Sequence, residues 1–149
     1  MTKRNRENVD ENQDSYVAKE PRPLIPEGIY QAQCIKIEKG YSHSSSRKIF
    51  IHFEVFNEGE LENKVPLFLA MNDPGEKVSP GTKYYQNWVI ANGNKAPRRN
   101  DRMSLKVFRK GLFLVHVGTV KPTLPESKKE RPECFHYSIV RYIIKKVVG

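Results

Sequence analysis

KIFIHFEVF, residues Lys48 to Phe56, places Ile49, Ile51, Phe53 and Val55 on one side of the chain and Phe50, His52, Glu54 and Phe56 on the other. A period of two marks a β-strand, because successive side chains leave its opposite faces, and the branched and aromatic content fits a pleated surface. Downstream, Val65–Asn72 (VPLFLAMN) repeats the pattern, with Val65, Leu67, Leu69 and Met71 opposed to Phe68 and Ala70. Pro66 lacks an N–H, so this third strand belongs at an edge or begins there. Upstream, Ile29–Glu38 (IYQAQCIKIE) changes phase between Tyr30, Ala32 and Cys34 and the following Ile35 and Ile37, which predicts a first strand with a bulge or strong coiling.

The rest of the chain is arranged around this core. Thr82 is placed to cap a helix over Lys83–Asn92, with Asn92-Gly93 as its stop. Leu112–Lys121 reads as a fourth strand, Pro122–Cys134 as a long polar loop with three prolines, and Phe135–Val147 as a fifth strand. Residues 1–23 hold 5 basic and 5 acidic side chains and almost nothing apolar, so they are expected to be a disordered tail. Residues 24–149 then form one domain. The element order, three strands, one helix and two strands, predicts a mainly β protein. It is the order of the OB fold, a five-stranded Greek-key barrel that binds oligonucleotides or oligosaccharides, with one helix between strands 3 and 4.

Charge points to the ligand. Residues 95–149 carry 14 Lys and Arg against 4 Asp and Glu, whereas residues 1–94 carry 12 against 13. Clustered cations attract phosphate backbones by releasing their condensed counterions. The densest run holds Arg98, Arg99, Arg102, Lys106, Arg109 and Lys110. The loop between strands 1 and 2 adds Lys39, Tyr41, Arg47 and Lys48, and the loop between strands 4 and 5 adds Lys128, Lys129 and Arg131. If the Ile49 face of strand 2 is the core, then Phe50, His52 and Phe68 stand outward, where rings can stack on unpaired bases. The alternative is a second buried face, covered by the N-terminal segment or another subunit.

The pieces PEGIYQAQ (Pro26–Gln33), RKIFIHFEV (Arg47–Val55), KYYQNWVIANG (Lys83–Gly93) and RMSLKVFRKGLFLVHVGTVKP (Arg102–Pro122) resemble the small single-stranded-DNA-binding proteins of phages, plasmids and integrated mobile elements. The resemblance runs from about Pro23 to the C-terminus. It implies an OB-fold protein that coats single-stranded DNA during replication or recombination, with a helicase, primase or polymerase as partner. The residues IIKKVVG differ from the acidic tails with which bacterial housekeeping binders recruit enzymes, so a partner contact is expected elsewhere.

Enzymatic function finds no support in motifs. There is no phosphate loop of the GxxxxGK[ST] kind, no GxGxxG, no GxSxG and no HExxH. His43, His52, His116 and His136 lack metal-ligand spacing, although His116 and His136 stand on neighbouring late strands and could approach one another. No cofactor is expected. Cys34 and Cys134 read as ordinary thiols, and with no apolar stretch of membrane-spanning length and no secretory signal a cytoplasmic location is expected. The expectation is therefore a sequence-tolerant binder of single-stranded DNA, with Trp88 as a fluorescent reporter. RNA binding, self-association and a protein-interaction module of a replication complex stay open.

Overall fold

In the computed structural model, which describes residues 15–41, 46–57, 63–98 and 102–148, five antiparallel strands form one sheet. They are β1 (Gly28–Tyr41), β2 (Arg47–Phe56), β3 (Lys64–Asn72), β4 (Leu112–Val120) and β5 (Tyr137–Val148). The order across the sheet is β3-β2-β1-β4-β5. β1 serves both halves: Gly28 to Ala32 pair with β4, and the strand from Gln31 to Tyr41 pairs with β2. The register on β2 shifts between Cys34 and Lys36, leaving Ile35 as the extra residue. This is the bulge that the phase slip predicts, and it lets one strand bend from one half of the sheet into the other.

The alternation of β2 and β3 has the expected sense. Ile49, Ile51, Phe53, Val55, Leu67, Leu69 and Met71 are buried. They meet Phe113, Val115 and Val117 from β4 and Val140 and Ile143 from β5. Each such side chain contributes about 1.5–3 kcal/mol by leaving water, so a shift of one residue in the β2–β3 register would forfeit the whole row. Pro66 lies on β3, which among the described residues has one hydrogen-bonded neighbour, β2.

The sheet curls enough to bring residues of β3 and β5 within 8 Å by Cα, though no ladder joins them among the described residues. Helix α1 (Lys83–Ala91) packs against both strands at this gap. Asn87, 2% exposed, accepts the Ile143 N–H of β5 on its Oδ1 (2.8 Å) and donates from Nδ2 to the Lys83 carbonyl (2.9 Å). The Lys83 Nζ donates to the Ala70 carbonyl of β3 at 3.1 Å. One helix thus satisfies a backbone group on each of two unpaired sheet edges. Thr82 caps α1 by accepting the Tyr85 N–H at 3.2 Å. At its other end Gly93 (φ 75) and Asn94 (φ 63) return their N–H groups to the Ile90 and Val89 carbonyls, a Schellman closure.

Three features differ from the sequence expectation. The basic segment after α1 contains a second, four-residue helix, α2 (Lys106–Arg109), whose Phe108 is fully buried and meets the Tyr84 ring edge-on at 5.8 Å. The loop between β4 and β5 is itself a small hairpin. Thr123 bridges Glu130, the Leu124 N–H reaches the Lys129 carbonyl at 2.8 Å, and Lys128 turns the chain at φ 54. Phe135 belongs to a 3-10 turn over Glu133–Phe135 and is 52% exposed, so β5 starts two residues later than expected.

The chain before β1 is bound to β5. The Ser138 N–H donates to the Pro23 carbonyl, and its Oγ accepts the Ile25 N–H, both at 2.8 Å. Ile25 is buried, and the Arg22 guanidinium lies 4.4 Å from the centre of the Tyr137 ring. The attachment therefore begins at Arg22. Residues 1–14 of the expected tail lie outside the described residues. No helix among the described residues is long and apolar enough to cross a membrane.

Candidate nucleic-acid interface

The outward row of β2 and its neighbours forms a ring cluster. Phe50 pairs with Ala70 and His52 with Phe68 across the β2–β3 ladder, which puts Phe50 and Phe68 on a diagonal. Their rings meet edge to face, 5.7 Å apart and 78° between planes, and His52 tilts against Phe68 at 6.3 Å. All three are partly exposed. Edge-to-face packing holds each ring in place, a rigid start for stacking a base.

Charge on this face is mixed. Glu38, opposite Phe50 on β1, is held by Lys36 at 2.8 Å and by His52 at 3.0 Å. These contacts keep its carboxyl below the usual range, the hydrogen bond from Lys36 first. Glu54 faces Lys64 at 3.7 Å, and Lys64 also lies 5.9 Å from the Phe56 ring centre. Both carboxylates are thereby paired with cations. At the far end of β3, Lys48 donates to the Asn72 amide oxygen and Lys83 to the Ala70 carbonyl beside Phe50. Burial lowers the Lys83 pKa, helped by the positive charges of Lys48 and Arg141.

The structure brings some predicted site residues together and separates others. Lys48, Phe50, His52 and Phe68 share the outward face. Lys39, Tyr41 and Arg47 lie at the end of the β1–β2 hairpin with the strand parity of Ile49, the opposite side. There Tyr41 is 71% exposed and Arg47 approaches Asp73 at 3.9 Å. Arg98, Arg102, Lys106, Arg109 and Lys110 are exposed, and Arg99 lies outside the described residues. Arg109 acts on the Cys34 thiol, whose pKa is raised by burial and partly restored by that charge. Cys34 is opposite Phe53 and shares its core-facing parity, so Arg109 sits across β1 from the rings. Lys128 and Lys129 project from the small hairpin, and Arg131 lies 5.5 Å from the Phe135 ring centre.

The two late histidines have separate partners. His116 stacks on Tyr142 with centroids 5.0 Å apart and planes 6° from parallel, while His136 faces Glu130 at 3.1 Å and the Arg131 carbonyl at 2.9 Å. Trp88 is 7% exposed and donates its indole N–H to the Ser104 carbonyl, so it is a core residue rather than a reporter beside the rings. Sequence reasoning missed Lys83 and Arg141. Neither lies in the dense basic run, and Lys83 reaches the ring face through its hydrogen bond to the Ala70 carbonyl of β3. Compared with models of protein families and with curated proteins, the sequence matches none of them.

Proposed function

We propose that this protein is a sequence-tolerant binder of single-stranded DNA, built on an OB-like barrel, that acts in replication or recombination of a mobile element or phage. The observation that carries the reading is the partly exposed Phe50–His52–Phe68 cluster on the outward face of the sheet, with the Lys48 and Lys83 ammonium groups at its edge. Rings offer π-faces that any base can use, and nearby cations neutralise the backbone between bases. Strand order, the β1 bulge and a helix packed between β3 and β5 support the fold assignment. Among the described residues, α1 buries aromatic residues and the basic α2 is a single turn, which turns the reading away from a recognition helix in the duplex major groove.

The test is polarisation of end-labelled oligonucleotides at two salt concentrations, with unpaired DNA, duplex DNA and RNA as competitors. Affinity for unpaired DNA should exceed that for duplex and fall steeply with salt. Phe50→Ala and Phe68→Ala should each weaken it by about 1–3 kcal/mol with the salt slope unchanged. Absence of strand affinity, or wild-type affinity in both folded variants, overturns the proposal and leaves the rings as a docking surface for protein. Preferential competition by RNA would redirect it to that nucleic acid.

A further inference from the structure

Strands β4 and β5 contain no acidic residue, in contrast to the paired carboxylates on the Phe50 face. Their outward side carries its own aromatic row. His116 and Tyr142 are cross-strand partners with nearly parallel rings, and Tyr142 is 47% exposed. Ile29, opposite His116 on β1, extends the row and is 62% exposed. The register shift after His116 leaves Arg141 as an extra residue beside Tyr142. Its side chain fills the space a side chain at Gly118 would need, and its Nη2 donates to the Thr119 carbonyl at 2.9 Å. Lys145, opposite Leu114, is exposed on the same side.

We propose that this face is a second stacking station for the same unpaired strand, with a base on the open face of Tyr142 and phosphates on Arg141 and Lys145. The inference rests on the strand-binding reading above. A surface of rings and cations on two strands without an acidic residue is complementary to a polyanion with exposed bases, whereas an acidic protein partner would have no use for the pre-stacked ring pair. His116 holds the Tyr142 ring upright, which removes part of the ordering cost of binding. Between the stations, Lys83, bonded to the Ala70 carbonyl of β3, feels the positive charges of both Lys48 and Arg141. A long strand can then occupy both faces, and a short one only the first.

The experiment compares oligothymidines of about 4 and about 16 nucleotides, the range of site sizes for such folds, on the full chain and on Tyr142→Ala and Tyr142→Phe. Tyr142→Ala should weaken the long strand about tenfold and leave the short one within about twofold, while Tyr142→Phe keeps both. Circular dichroism and the melting temperature establish that the variants are folded. If Tyr142→Ala binds the long strand as tightly as wild type, or loses equally on both lengths, the second station is overturned and strand binding at the first face stands. If the wild-type chain binds neither length, both proposals fall.

Discussion

Tyr84 is 3% exposed and donates its hydroxyl to the Met103 carbonyl at 2.7 Å. Burial, with a smaller contribution from the Asp73 charge, pushes its pKa up to about 12. An unfolded tyrosine ionises near pH 10, so between those values the unfolded chain releases a proton that the folded chain keeps. Stability from this residue is therefore complete below about pH 10 and declines as pH rises towards 12. A melting-temperature profile should fall over that interval, and Tyr84→Phe should flatten the fall while costing about 1 kcal/mol at neutral pH for the lost hydrogen bond. Asn87 presents the other demanding case. Asn87→Leu keeps the forked shape of the side chain but is bulkier and strands the Ile143 N–H, and denaturant titration should show a loss of about 1–3 kcal/mol. Neither role is legible in the residue type alone, because each depends on a carbonyl or N–H distant in sequence.

The helix α1 was legible because both of its ends carry local chemistry: a hydroxyl cap at Thr82 and a left-handed Gly93. Nothing crowds a Cβ at Gly93, so Gly93→Ala isolates the backbone penalty, and thermal unfolding should report about 1 kcal/mol. Strands β2 and β3 were legible for a comparable reason, since their period of two is written into adjacent residues, and the slip at Ile35 announced the bulge. α2 was not. A single turn has no periodicity to read, and it is fixed by the burial of Phe108 against Tyr84, a tertiary contact. The hairpin between β4 and β5 was hidden by its prolines and by a turn residue, Lys128, of a type that seldom adopts positive φ. Lys128→Gly should relieve that backbone strain and raise the melting temperature slightly.

At the scale of the molecule, charge density along the chain does not mark the cations that stand beside the rings. The densest run, Arg98 to Lys110, includes Arg109 on the core-facing side of β1, whereas the cations beside the rings are Lys48 and Lys83. Replacing Lys48 and Lys83 together by Ala should reduce the slope of log affinity against log salt by about 1.4. The pair Lys106 and Lys110 should change it less, a comparison that equilibrium titrations across a salt series can make directly. The wedge of α1 between β3 and β5 has a further effect on how many copies can live side by side. Free sheet margins are templates for runaway accretion, one molecule's border annealing to the next, and here Asn87 and Lys83 have already claimed a group on each border. Crowded shoulder to shoulder at high concentration, such molecules stay individually exchangeable, and light scattering of concentrated Asn87→Leu should reveal the clumping that the native helix forestalls.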